Sequence, residues 1–355
     1  MSIKFNSFPY LVKLAVMNQM NYMSIFMLSL CSIRTKKFIE NHLRKDLTSI
    51  EYFFSTNGIQ VLVENPDGSG ELMVGVHASY DTLHLCHLSN TRIGNVQRLV
   101  GFSKGEDDLI RIKCPMQIPI YEKSMKRAII EHVAALFTRS SPTIHLDVHV
   151  DDYLGKLVPI PGVESIKLRG NEVNVKFLEE ILTKYPNQES AFIVPQLMGE
   201  LNVDSKLHEL QYLRCKNVSR LAVPIAKRFN GRELIFSNAD FDAVEEITSI
   251  LTKWISNEAY HNLEFMYIDS ASPIDRTRLK IPQSAKTRWS LEPYTFEYES
   301  SNKNSFVDPM SFDCREFYQI ERESDRKMAA FRFFRHTFVL LIWNRTRDQF
   351  VEMVR

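Results

Sequence analysis

Between residues 163 and 268 the sequence switches back and forth between two periodicities, which constrains the fold more than any other feature. VESIKL, AFIV, HELQYL, RELIFSN and LEFMYI are short β-rich runs. NVKFLEEILTKY, NVSRLAVPIAKRF and DAVEEITSILTKWI place apolar residues at helical spacing. Phe177, Leu178, Ile181 and Leu182 form the inward side of one helix. Val244, Ile247, Leu251, Trp254 and Ile255 form a stripe on another, which Asp242 and Glu245 are spaced to cap. Alternation at roughly 25 to 35 residues per unit predicts parallel strands stacked in an open, curved sheet. The repeat is irregular, and a plain α/β sheet satisfies the same pattern.

The flanking regions read differently. IEYFFSTNGIQVLVENPDGSGELMVGV holds two β-rich runs, punctuated by Asn57-Gly58 and by NPDGSG, residues that supply the positive φ of tight turns. Further strands are expected at 96–102 and 109–113. SMKRAIIEHVAALFTRS reads as a helix capped by Ser124, with Met125, Ile129, Val133 and Leu136 inward. IHLDVHV reads as a half-buried strand, with Ile144, Leu146, Val148 and Val150 inward and His145, Asp147 and His149 outward. Residues 271–310 read as loop with one strand, TFEY. REFYQIER, MAAFRFF and TFVLLIW are strands by aromatic and β-branched content, with the charged ESDRK as a hairpin tip.

Composition narrows the function classes. The 355 residues carry 44 basic and 43 acidic side chains, a net charge of +1, so no broad nucleic-acid-binding field is expected. Arg332, Arg335, Arg345 and Arg347 alternate with aromatics and read as charged strand edges. The five cysteines are scattered and lack CxxC spacing, which points to a reducing, intracellular setting without disulfides. Lys13, Asn18, Gln19, Asn21 and Ser24 interrupt the apolar segment from Tyr10 to Cys31, so neither a membrane span nor a signal peptide is expected. There is no P-loop, dinucleotide-binding fingerprint, GxSxG or HExxH, hence no enzyme and no cofactor is expected. His145, Asp147, His149 and Asp151 would share one strand face, yet neighbours there stand ~7 Å apart, far for a common metal ion. His84, Cys86 and His87 lack a second ligand pair, and Cys114 lacks an activating neighbour.

The N-terminal stretch FPYLVKLAVMNQMNYMSIFMLSLCSIRTKKFIE is helical in pattern. Pro9 suits a helix start. Val12, Val16 and Met20 recur every four residues on one face. Asn21 and Tyr22 interrupt, Ser24 is a possible cap for a second helix, and Ile25, Leu28 and Cys31 follow at three-residue steps. So short a helical unit must present an apolar face to the rest of the chain or to a partner.

Phe8, Pro9, Val16, Met20, Ile25, Leu28, Leu30, Ser32 and Arg34 follow without gaps the spacing of the F-box, and CSIRTKKFIE resembles the ending found in nematode F-box proteins. The chain departs from that pattern at Leu11, where an acid is common, and at Tyr22, where a proline is common. RELIFSNADFDAVEEITSILTKWISNEAYHNLEFMYI resembles the F-box-associated domain of the same proteins, with Trp254-Ile255 and Leu263-Glu264 in its motif positions. Arg322 and Trp343 resemble its closing hairpin, although Ser324-Asp325-Arg326 replaces the usual Asp-Gly turn, which implies a looser hairpin.

The expected fold is therefore α+β: a helical F-box at 8–44, a β-rich connecting region with one helix at 50–150, and at 160–345 an α/β, leucine-rich-repeat-like open sheet ending in a β-hairpin. The resemblance implies a substrate receptor of a cullin-type ubiquitin ligase, which binds a Skp-type adaptor, and through it a cullin, together with a target protein. Phe8, Pro9, Val12, Val16 and Met20 would form the adaptor face, with Ile25 and Leu28 shared between that face and the helical core. The alternative is a repeat-type scaffold whose N-terminal helices only cap the fold.

Overall fold

The computed structural model describes residues 5–43, 46–55, 58–78, 87–104, 110–114, 119–151, 157–240, 243–275, 287–288, 295–300 and 310–354. The chain divides into two compact units, Met1–Ile166 and Lys167–Arg355. The helices and the β-rich region, separate in the sequence reading, thus share one unit, and the second begins at Lys167. Helices precede strands in a mixed α/β chain. No helix among the described residues is long and apolar enough to cross a membrane.

The first unit opens with three short helices, α1 (Tyr10–Gln19), α2 (Tyr22–Leu30) and α3 (Ile33–His42). Strands β1 (Ser49–Ser55), β2 (Gly58–Glu64), β3 (Gly70–Ala78), β4 (His87–Ile93), β5 (Val96–Lys104) and β6 (Ile110–Cys114) follow, then helix α4 (Pro119–Leu136) and β7 (Thr143–His149). β1 pairs antiparallel with β2 and parallel with β7. β3 continues the sheet from β2, β6 joins β3 in parallel, and β5 and β4 complete it. Alternation sets the register of β1 on β2: Ile50, Tyr52 and Phe54 oppose Val63, Val61 and Ile59, and all six are buried. Gly58 holds φ at 147°, and a Cβ there would collide with the Val76 carbonyl oxygen. Asn57, its turn partner in the sequence reading, lies outside the described residues.

Helix α4 begins at Pro119, so Ser124 sits inside it rather than capping it; a proline at the first position needs no N–H partner. Asp147, expected to face solvent, is fully buried, because β7 is covered on both faces. No group of three or more His, Cys, Asp or Glu gathers to hold a metal among the described residues. His84 and Cys86 lie outside the described residues, as do the side chains of His87 and Cys114.

β8 (Val163–Arg169) leads into the second unit. There β9 (Glu172–Asn174), β10 (Ser190–Met198), β11 (Tyr212–Asn217), β12 (Glu233–Ala239) and β13 (Phe265–Ser270) lie side by side in chain order, all parallel. The connections carry α5 (Val175–Lys184), α6 (Ala222–Arg228) and α7 (Ala243–Ile255); connections between parallel strands are almost always right-handed, which for strands added in one direction places the helices on one face. The apolar stripe of α7 is buried: Ile247, Leu251 and Trp254 have no exposed surface. Asp242 and the Val244 side chain lie outside the described residues. HELQ, expected to begin a strand, instead starts at the end of the 3-10 turn Lys206–His208 and runs on as irregular chain, and the strand is Tyr212–Asn217, registered Ser190 to Tyr212 on β10. The cause is the alternation of Leu213 and Cys215, both buried against the helices, with Arg214 and Lys216 on the other side.

Short β14 (Thr287–Arg288) and the hairpin β15 (Thr295–Tyr298)–β16 (Met310–Asp313) precede β17 (Tyr318–Glu321), β18 (Lys327–Phe333), β19 (Thr337–Thr346) and α8 (Arg347–Val354). β19 adds antiparallel to β13, followed by β18, β17 and β14. The β15–β16 hairpin covers the face opposite the helices, Tyr298 stacking on Phe265 at 4.0 Å and Phe296 meeting Trp343 edge-on at 5.2 Å.

A candidate docking face on the first helix

Helix α1 is placed by its aromatic neighbours rather than by a deep apolar stripe. Pro9 is its N-cap residue, one position earlier than expected, and the Lys13 N–H donates to the Pro9 carbonyl at 3.0 Å. Phe38 of α3 is the hub. Phe5 and Tyr10 meet its ring at 5.9 and 6.0 Å, His42 stacks on it at 4.5 Å, and the Lys13 ammonium lies 5.0 Å from its centroid. Met17 is the one buried residue of α1.

Among the described residues, the opposite side of α1 is the more exposed one. Leu11 is 74 % exposed, Val12 42 % and Val16 37 %. The pairs Leu11/Ala15 and Val12/Val16 are four apart and so lie side by side, giving an exposed apolar face on a helix of ten residues. Of the expected face, Pro9, Val12 and Val16 are exposed, while Phe8 and Met20 are half-buried. Leu28 is partly buried, and Ile25 has no exposed surface, so it belongs to the core alone. In the sequence Leu11 stands out only as a departure from a motif; its i,i+4 relation to Ala15, beside Val12 and Val16, is the signal that marks it for this face.

Helices α2 and α3 anchor this unit to the sheet. Asn21, not Ser24, caps α2, its Oδ1 accepting the Ser24 N–H at 2.8 Å, and Ser32 caps α3 through the Thr35 N–H at 3.0 Å. The Glu71 carboxylate of β3 accepts the N–H groups of Tyr22 and Met23 at 2.8 and 3.4 Å, a negative charge at the positive end of α2. The Tyr22 hydroxyl donates to Asn65 Oδ1 at 2.9 Å, and burial, with Glu71 nearby, pushes its pKa up to about 12. At the far end of α2, Ser29 Oγ lies 2.7 Å from His132 Nε2, while the Gly94 N–H donates to His132 Nδ1 at 3.1 Å. The Nδ1 acceptor leaves Nε2 to carry the proton, so the imidazole is neutral and donates to Ser29. Burial, reinforced by the charge of Lys36, lowers its pKa to about 3.

No family model matches this chain, and neither a curated protein nor a solved structure resembles it at a significant level. Among the described residues of the second unit, the exposed large apolar side chains are Met198 and Val203. Trp254 and Trp343 are both buried, so neither is an exposed anchor. On the side of β10 and β11 away from the helices, Arg214 stands 4.9 Å and Lys216 5.7 Å from the Phe192 ring.

Proposed function

We propose that the chain is a non-enzymatic substrate receptor of a cullin-type ubiquitin ligase, an F-box protein with an F-box-associated domain, working inside the cell. In this reading α1 docks a Skp-type adaptor and the second, leucine-rich-repeat-like unit holds a target protein. Covalent linkage of two binding surfaces raises the effective concentration of target lysines near the conjugating enzyme, with no bond chemistry by the chain itself.

The observation that carries the reading is the exposed apolar face of Leu11, Val12 and Val16. Fully burying such a side chain is worth about 1.5–3 kcal/mol. A partner covering Leu11 would gain most of that, and one covering Val16 roughly a third. A helix serving only to cap the fold would bury its apolar stripe on its neighbours, and α1 buries Met17 alone. The departure at Tyr22 also has a physical counterpart: its backbone N–H bonds Glu71, a bond proline cannot make. The departure at Leu11 adds apolar surface to the same face.

The test is binding of the full chain to purified Skp-type adaptors. Val12→Asp with Val16→Asp should abolish saturable binding while the thermal unfolding midpoint stays within a degree or two, since both positions are exposed. Binding retained by the double variant, or absent from the wild type, overturns the proposal.

A further inference from the structure

A cleft of about 750 Å³ in the first unit lies between α2–α3 and the β4–β5 hairpin, and α1 contributes nothing to it. Four successive residues of β4, Ser89 to Arg92, line it. Side chains alternate across a strand, so a cavity on one face meets every second residue; one that meets four in a row runs along the edge. Among the described residues β4 pairs only with β5, and none of them forms a strand on its other edge. The two-residue loop closes on Ile93 opposite Val96, with Gly94 at φ 57° in its first position. Such loops close on a hydrogen-bonded pair. Ladder alternation then turns the backbone N–H and C=O of Leu88, Asn90 and Arg92 away from β5.

Chemistry narrows what could pair there. Lys36, Lys37 and Arg92 line the cleft against one carboxylate, Glu40, which Lys36 meets at 3.4 Å. The hairpin also exposes Leu88 (46 %) and Leu99 (52 %) on one face, apolar surface that an edge strand ordinarily avoids. We propose that this cleft binds an extended, acidic peptide segment of a partner protein, which adds as a strand to β4. Main-chain hydrogen bonds supply affinity, and Lys37 and Arg92 select acidic side chains.

The experiment uses the full chain and a fluorescent heptapeptide alternating Glu and Val, followed by polarisation. Saturable binding should weaken about tenfold with Asn90→Pro, the effect of one or two interchain hydrogen bonds. The Asn90 N–H lies outside the ladder, so the hairpin should survive the proline. The same peptide methylated on alternate backbone nitrogens should lose a similar factor against the native chain, whether or not the proline variant folds. Lys37→Glu with Arg92→Glu should also reverse the preference over a Lys/Val peptide. Absent saturable binding, equal affinity for the Lys/Val peptide, or indifference to backbone methylation each overturns the proposal. So does a dimer in sedimentation that Asn90→Pro abolishes, since the edge would then pair with a second copy.

Discussion

An imidazole sealed between two hydrogen bonds has to hold one protonation state, and His132 holds the neutral one. Gly94 donates to one ring nitrogen and Ser29 accepts from the other, so a second proton would sever the Gly94 bond and bury a charge near Lys36. In the unfolded chain the same ring takes up a proton near pH 6.5, whereas the folded one resists down to about 3. The unfolded state therefore binds the extra proton in that window. Stability is full above pH 6.5 and falls as the pH drops towards 3, by at most about 1.4 kcal/mol per pH unit from this group. Urea unfolding between pH 7 and 4.5 should show this slope, and His132→Gln should flatten it; an unchanged slope refutes the assignment. The sequence placed His132 in a helix but offered no sign of its role, because Ser29 and Gly94 reach it from 103 and 38 residues away.

At the scale of elements, the β17–β18 hairpin shows how a substituted turn is held. Arg322 is 3 % exposed, clamps Asp325 through two bonds of 2.9 and 2.7 Å, and lies 5.4 Å from the Trp254 ring. Asp325 also accepts the Lys327 N–H at 3.2 Å, and Arg322 in turn pulls the carboxyl pKa down to about 2. The hairpin is thus closed rather than loose. Its cost sits at Arg326, which adopts φ 61° in the left-handed region that favours glycine. Arg326→Gly should raise the unfolding free energy by about 0.5–1 kcal/mol, since the exposed Arg326–Glu321 pair it loses contributes little. A chemical denaturation midpoint unchanged or lowered would contradict this. Arg322 and the charged tip were legible in the sequence; that Asp325 and a left-handed Arg326 would do the work of Asp-Gly was not, because backbone φ is set by the closing strands.

At the scale of the molecule, a division into two compact units predicts separable stability. Leu251 is fully buried under the parallel sheet, and truncating such a residue costs about 2–5 kcal/mol. Leu251→Ala should therefore raise amide exchange in α7, β12 and β13 while β1, β2 and α4 keep their protection in hydrogen-exchange mass spectrometry; a loss spread over residues 1–166 would refute it. By itself the sequence determined most of the kinds of element, the parallel strand–helix succession of residues 163–268, and core residues such as Ile129 and Val133 of α4, Leu178 and Ile181 of α5, and Ile247 and Leu251 of α7. Those follow from periodicities that a dozen residues contain, imposed by helix and strand geometry. Only the tertiary structure decided that β6 returns to β3 in parallel, that Asp147 is covered, that β11 starts at Tyr212, and that Leu11, Val12 and Val16 stay exposed. Each of these depends on which distant segment arrives at a face, and a local pattern marks a face as apolar without specifying what comes to cover it.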